Sequence, residues 1–218
     1  MTREAGRTLR VWFYFALIAL LSLFPLLVLV EYSLAPGWRF PELIPARIDL
    51  RGLEYVWSQS GRLAAALGSS LFFSCLTAAL TFALCIIPAR HLARAEFRGK
   101  SLLEGLLLAP ALVPPMTFSM GMHLAFIHLG LIDTTFGVVL VLSTFSYPYM
   151  LRALVAGYQS FGPEYELCAR NLGADWWTVL WRVDLPLLIP AMVAGSTVVF
   201  LVAFSEYFLV FLIGGGRV

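Results

Sequence analysis

Few side chains in this sequence are suited to covalent chemistry or to metal binding. Cys75 and Cys85 lie ten residues apart in one apolar run, and Cys168 stands alone in a charged segment, a spacing that fits no metal template. His123 and His128 are five residues apart near the end of another run, which favours packing or interfacial roles over metal ligation. The motifs G-x-S-x-G and H-E-x-x-H do not occur in the sequence. We therefore expect no catalytic residue, no metal site and no bound cofactor.

A second set of polar residues lies within apolar runs and could line a path through a membrane. Glu206 lies late in the last run, and an ionisable side chain at membrane depth is costly, so it usually faces a cavity or a partner. It is therefore a residue of a path or gate, or a member of a structural pair. The weaker candidates for the path are Ser205 and Tyr207 beside it, and Met116 and Ser119 after the Pro114-Pro115 pair.

The elements that must position these residues are membrane-spanning helices. Sixty per cent of the residues are hydrophobic and only 13% are charged, with a mean hydropathy of +0.85, so the bilayer must be the solvent of this chain. Five runs approach or exceed the roughly 18 residues that span a bilayer. They cover about 11–32, 63–88, 102–127, 135–158 and 185–213. We predict an all-α membrane protein, a polytopic helical bundle whose transmembrane domain covers 11–218.

The first run has features of both a signal peptide and a retained span. Three arginines precede it, and Ser33-Leu34-Ala35 resembles a cleavage site. However, the run is about twice the usual length of a signal-peptide core, and Pro36 would follow the cut. We predict a retained helix.

Cationic residues predict the orientation of the spans. Arginines before the first span place residues 1–10 in the cytoplasm, and basic clusters place 90–100 and 160–184 there as well. The loop around 130–135 has no Lys or Arg and is expected outside. The loop 36–61 is near neutral and fits the outside less clearly; its prolines predict an extended segment followed by a short helix near 53–58.

Prolines also interrupt two spans. Pro110, Pro114 and Pro115 lie in the third, and Tyr147-Pro148 lies in the fourth. Proline frees backbone carbonyls, which a membrane tolerates where neighbouring helices or a water-filled cavity satisfy them. These two helices are therefore kinked for packing, or they line a path.

The charged segment between the last two spans, residues 160–184, is called the hairpin below. Pro163 and Glu164 suit a helix start, Gly173 suits a helix end, and Asp175 suits the cap of a second helix that carries Trp177. Pro186 and Pro190 are expected to mark the return to the membrane. The aromatic residues fit either a hairpin resting in the lipid interface or a helix that enters a groove on a cytoplasmic protein.

The hairpin resembles a known signature. One pattern in it is similar to the cytoplasmic EAA motif of binding-protein-dependent ABC importer permeases with the MetI-like fold. This pattern is Gly173, nine residues, Val183, one residue and then Leu185-Pro186. Cys168-Ala169 and Gly173-Ala174 are in register with that motif. The resemblance extends from about residue 64 onward through Leu129–Thr134, Tyr147–Tyr149, Pro186–Pro190 and Phe204–Phe208.

This resemblance implies a permease subunit in the bacterial inner membrane. The implied partners are a second permease subunit, an external substrate-binding protein and a separate cytoplasmic ATPase; no nucleic acid is implied. The sequence lacks a G-x-x-x-x-G-K-[ST] loop, which agrees with an ATPase on another chain. The residues implied to contact that ATPase are Glu164, Glu166, Cys168, Ala169, Gly173, Ala174, Trp177, Val183, Leu185 and Pro186.

One departure from the motif concerns its acidic residue. Where the family has Glu-Ala-Ala, this chain has Leu167-Cys168-Ala169, with Glu166 one position early. If the glutamate of the family touches the ATPase, Glu166 or Glu164 must replace that contact, or the contact is lost.

The sequence leaves more than one substrate and more than one functional class open. Leu108–Pro115 and Trp38–Pro41 look most like the branch that imports polyamines, iron(III) or thiamine, whereas Phe204–Phe208 is similar to the sugar-permease branch. An ion-coupled secondary transporter is the alternative function, but it would need ionisable groups near the midplane, and many such transporters also have inverted repeats. Permeases of the family that this chain resembles have six spans, whereas this sequence ends at Gly214–Val218 after five. We therefore expect a fragment with a sixth span missing.

Overall fold

The structure is a computed structural model that describes residues 2–35 and 49–215, with side chains from residue 11 onward. The described residues form helices and connecting turns, and they include no strand. The helices are α1 (Thr2–Leu34), α2 (Arg51–Ser58), α3 (Ser60–Arg94), α4 (Lys100–Leu108), α5 (Pro115–His128), α6 (Thr135–Phe161), α7 (Glu164–Asn171), α8 (Trp176–Val179), α9 (Leu185–Ser205) and α10 (Phe208–Gly214). The predicted all-α class is confirmed.

The chain forms two compact units, residues 1–66 and 67–218. In the first unit, the backbone N–H of Asp49 donates to the carbonyl oxygen of Leu34 at 2.7 Å, and Arg51 forms an ion pair with Asp49. The short helix expected near 53–58 is part of α2. The extended loop expected before it, including Trp38–Pro41, lies mostly outside the described residues.

Within residues 2–35 and 49–215, four helices are long and apolar enough to cross a membrane: Val11–Leu34, Ser60–Arg94, Thr135–Phe161 and Trp176–Ser205. A fifth span arises if Lys100–Leu112 and Pro115–His128 count together, although they meet at an angle of 100°. The single helix expected over 102–127 is therefore two segments. The cause is the Pro114-Pro115 pair, because each proline forces the residue before it into extended backbone, as ψ values of 130° at Val113 and 138° at Pro114 show.

The last span differs from its expected bounds of 185–213 at both ends. Helix α9 ends at Ser205, and the backbone of Glu206 is extended, with ψ at 101°. The Glu206 Oε1 atom accepts a hydrogen bond from the backbone N–H of Leu209 at 3.3 Å, so this carboxylate caps the separate helix α10. At the other end, α8 and α9 are continuous, and the helical run begins at Trp176.

Helix α6 is the centre of the second unit. Its most apolar window is 61% buried, against 33% for α3 and 22% for the run that ends in α9. Two glycines let α6 and α9 approach closely: a Cβ on Gly157 would lie 2.5 Å from the Cβ of Ala191, and one on Gly195 would lie 2.9 Å from Met150 Sδ. The close contact fixes α9, and with it the second half of the hairpin, against α6.

Candidate functional site

The hairpin consists of α7, a tight turn and α8, as the sequence predicts. Gly173 has a φ of +86°, the left-handed conformation expected after a helix end. Ala174 N–H closes the turn on the carbonyl oxygen of Ala169 at 3.0 Å. Asp175 caps α8, because its carboxylate accepts hydrogen bonds from the backbone N–H of Trp177 and from Thr178 Oγ1. These bonds, led by that from Thr178, hold the pKa of Asp175 below its usual value.

A π-helical turn, Leu180–Asp184, joins α8 to α9. A π turn holds an extra residue, and it is tolerated here because Pro186 has no N–H to close a regular α-helical bond back to Arg182. Pro186 and Pro190 therefore lie inside one continuous helical run, Trp176–Ser205. Within the π turn, the side chain of Asp184 is directed inward and fully buried, while Trp181 is 65% exposed.

The residues expected to contact an ATPase divide by exposure. Most lie on the exposed or half-buried surface of the hairpin, and one does not. The exposed ones are Glu164, Cys168, Gly173, Trp177 and Pro186, the half-buried ones are Ala169, Ala174, Val183 and Leu185, and Glu166 is buried.

Glu166 is turned into the protein and paired with two arginines of α3. Its Oε2 accepts hydrogen bonds from Nε of Arg90, at 3.1 Å, and from Nη2 of the same residue. Its Oε1 accepts one from Nε of Arg94 at 2.9 Å. Both carboxylate oxygens are thus engaged, and the glutamate is only 6% exposed. This placement differs from the expectation that Glu166 could meet an ATPase.

Arg94 extends the same cluster to the end of α6. Its Nη1 donates to the carbonyl oxygen of Tyr158 at 2.8 Å, and its Nη2 donates to that of Gly162. Its guanidinium lies 5.1 Å from the centre of the Phe161 ring. The last carbonyls of a helix lack intrahelical partners and favour a cation. One arginine therefore holds α3, the end of α6 and α7 together.

Asp184 brings the start of α9 into this cluster. Its Oδ2 lies 3.2 Å from Nε of Arg90, but the single hydrogen of that nitrogen is donated to Glu166. Within the described part of the chain, neither oxygen of Asp184 accepts a hydrogen bond, and the buried hydroxyl of Tyr158 also has no partner. The contact of Asp184 is thus Coulombic only, and a fully buried carboxylate held this way is costly.

We call Arg90, Arg94, Glu166 and Asp184 the buried ionic cluster. Sequence reasoning used the arginines only to orient the spans and assigned Asp184 no role. A local signal existed, because Arg90 and Arg94 are four residues apart and lie on one face of α3. Their partner Glu166 is 76 residues away from Arg90, however, and no local pattern identifies it.

The candidates for a substrate path lie in two places. Ser119 is buried and donates to the carbonyl oxygen of Met116 at 2.9 Å, while the Met116 side chain is 61% exposed. Ser205 is exposed and donates to the carbonyl oxygen of Leu201, and the exposed ring of Tyr207 stacks on Phe211. Glu206 is half-buried. Among the described residues, no hydrogen bond joins the pair on α5 to the group around Glu206.

Comparison with known proteins places this architecture in a family context. Residues 84–218 match the family described as "Binding-protein-dependent transport system inner membrane component". The molybdenum transport system permease protein ModB of Mycobacterium tuberculosis is 34% identical over 165 residues, which is 68% of this chain and 62% of that protein. In Escherichia coli K12, ModB is 32% identical over 152 residues (63% and 66%), and the sulfate transport system permease protein CysT is 31% identical over 142 residues (60% and 51%).

Among solved structures, a chain of a bacterial ABC transporter involved in the import of the acidic polysaccharide alginate superposes with a TM-score of 0.70. The superposition covers 98% of this chain and 76% of that one, at 18% sequence identity. At that identity the likeness supports the fold alone. The matched region covers about two thirds or less of the length of the named relatives.

Proposed function

The chain belongs to the family of inner membrane components of binding-protein-dependent transport systems, and from that premise we propose that it is the permease subunit of an ATP-driven importer. The family is one of transport proteins, not of enzymes. In the proposed assembly, this chain pairs with a second permease subunit, receives substrate from an external binding protein and couples to a cytoplasmic ATPase on a separate chain.

We propose that the hairpin, residues 160–184, transmits the motion of the ATPase to the spans. The observation that carries this proposal is the buried ionic cluster, which joins α7 to α3, to the end of α6 and to the start of α9. Removing one partner from a buried ion pair typically costs about 3–5 kcal/mol. The hairpin therefore resists bending away from the helices, and a displacement of the hairpin is passed on to them.

The proposed ATPase contact lies on the exposed part of the hairpin and not at Glu166. Cys168 is exposed on α7, Leu172 in the turn is 89% exposed, and Trp177 on α8 is 60% exposed. Large apolar side chains at this density are typical of a protein contact. Glu166 stands one position before the acid of the family motif. Its role is internal, as the anion that holds the hairpin on α3.

The proposed topology follows from the distribution of cationic residues. The N-terminus, residues 90–100 and the hairpin lie in the cytoplasm, and 36–61 lies outside. The transmembrane permease domain covers residues 11–218. This arrangement puts the buried ionic cluster at the cytoplasmic ends of α3 and α6, where an ATPase can reach the hairpin.

For the substrate we propose a tetrahedral oxyanion. The motifs alone favoured polyamines, iron(III) or thiamine, but the named relatives transport molybdenum and sulfate. The structure gives Glu206 a local role that needs no substrate, because its carboxylate caps α10. A negative charge would also repel an oxyanion, so we assign Glu206 to the cap and not to substrate binding.

Replacing Gly173 by valine tests the role of the hairpin. A β-branched residue is strained at a φ of +86°, so the turn should deform while the spans still insert. We expect reduced copurification of the ATPase and loss of uptake. Gly105→Val in α4 is the control, because no described heavy atom lies within 4 Å of the added Cβ position and its φ is not positive. Undiminished copurification and uptake in Gly173→Val would refute the proposal.

A further inference from the structure

A basic cleft opens between the last turns of α3 and helix α7. Its volume is about 260 Å³, and its lining includes the three arginines Arg90, Arg94 and Arg170, with His91, Pro163 and Leu167 beside them. The one carboxylate in the lining is Glu166. Three guanidinium groups thus share the cleft with a single acid, which gives the opening a net positive charge.

The hydrogen-bonding capacity of these cations is only partly used. Arg94 donates through Nε, Nη1 and Nη2. Arg90 donates through Nε and Nη2, and within the described residues its Nη1 makes no hydrogen bond. The exposed side chain of Arg170 likewise has no hydrogen bond or ion pair in that part of the chain. Arg170 is therefore free to bind an anion from outside this chain, whereas Arg90, whose side chain is 10% exposed, contributes positive charge to the lining.

The acids near the cleft do not compete for these donors. Both oxygens of Glu166 are engaged by Arg90 and Arg94, and Asp184 is fully buried beyond the cleft lining. Glu164 is not part of the cleft lining, and its carboxylate lies close against Gly162 in the preceding turn, where an added Cβ would clash with it. The cleft consequently presents positive charge to any partner of the hairpin.

We propose that an Asp or Glu side chain of the ATPase docks in this cleft against Arg170. The inference rests on the proposed function and adds the polarity of the contact: the hairpin supplies the cation and the ATPase supplies the acid. A guanidinium matches the planar geometry of a carboxylate and binds it through two parallel hydrogen bonds. The exposed Leu167 at the edge of the cleft provides apolar contact beside the ion pair.

The test measures the affinity of the ATPase that copurifies with the wild-type chain, as a function of salt, in nanodiscs of neutral lipid and in nanodiscs that contain anionic lipid. We expect Arg170→Gln to weaken binding about 3–10-fold and Arg170→Glu to weaken it more than tenfold, with a flatter salt dependence in both. The control is Arg98→Glu, an exposed arginine outside the cleft, which should stay within about twofold of wild type. A single Asp→Lys or Glu→Lys change on the ATPase should restore binding to Arg170→Glu.

Three results would overturn this assignment. If Arg98→Glu and Arg170→Glu weaken binding equally, the positive charge attracts the ATPase in general and Arg170 makes no specific contact. An effect of Arg170→Glu only in anionic lipid would identify a lipid headgroup as the occupant. Unchanged binding by Arg170→Glu would show that the cleft does not bind an acid of the ATPase. The proposal for the hairpin would not be affected, because Gly173→Val tests it separately. If the wild-type chain binds no ATPase, the proposed function itself fails.

Discussion

The isosteric change Glu166→Gln removes one charge from the buried ionic cluster and leaves two arginines without their shared anion. The side chains of Arg90 and Arg94 are only 10% and 17% exposed, so solvent cannot replace the lost pairing fully. Removing one partner of a buried ion pair costs about 3–5 kcal/mol. Two contacts reduce this value here: Arg94 keeps its carbonyl acceptors at the end of α6, and Asp184 lies 3.2 Å from Arg90 and can take over part of the pairing. We therefore expect a loss of roughly 2–3 kcal/mol.

The matched variant Asp184→Asn should behave differently, although it also neutralises a buried acid of the same cluster. Asp184 accepts no hydrogen bond from the described residues, so its carboxylate gains little to offset desolvation. We expect its stability to stay within about 1 kcal/mol of wild type. Thermal unfolding of the purified protein in detergent checks both, with an expected fall in Tm of about 4–12 °C for Glu166→Gln. The reasoning is refuted if Asp184→Asn lowers Tm as much as Glu166→Gln, or if Glu166→Gln leaves Tm unchanged.

Three further predictions concern other parts of the chain. A single cysteine at position 175, on a background without native cysteines, should react only with reagents that reach the cytoplasm; labelling from outside intact cells would overturn the orientation. Gly195→Val should lower Tm because its side chain meets Met150 and Ala153 across the contact of α6 and α9, whereas Gly121→Val, where no described heavy atom lies within 4 Å, should not. The cap formed by Asp175 has a lowered pKa, so its contribution should be constant above the unfolded pKa of about 3.9 and fall only as the pH drops through the folded value; a loss of hairpin helicity between pH 8 and 6 would contradict this.

The local features of the hairpin could be predicted because each depends on residues close in sequence. Proline fixes the backbone before α7, glycine allows the left-handed turn after it, and the aspartate side chain accepts a hydrogen bond from the backbone of α8 two residues away. The buried ionic cluster could not be predicted in this way, because Arg90 and Glu166 are 76 residues apart and only the packing of α3, α6 and α9 brings them together.

The ends and bends of the spans were also only partly predictable. The Pro114-Pro115 pair indicated an irregularity. However, the 100° angle between Lys100–Leu112 and Pro115–His128 depends on how α5 packs within the unit. Pro186 is predicted to mark the return to the membrane, but the sequence does not predict that the helix runs on through it. The π turn before Pro186 allows this, because a proline nitrogen has no hydrogen to donate. The sequence predicts that Glu206 belongs to a path or gate or to a structural pair, but it does not predict the hydrogen bond by which its carboxylate caps α10.

The central claim is that the buried ionic cluster makes the hairpin and the spans move as one body. Spin labels at two exposed positions test it directly: the native Cys75 on α3 and a cysteine introduced at Tyr165 on α7. Cys168, which lies in the proposed ATPase contact, and the buried Cys85 are replaced by alanine. The measurement is the distance between the two labels, with the ATPase bound, in the absence and presence of nucleotide. The account predicts an unchanged distance in the otherwise wild-type chain and a shifted or broadened one in Glu166→Gln. A nucleotide-dependent change in the wild-type chain as large as that in Glu166→Gln would contradict it.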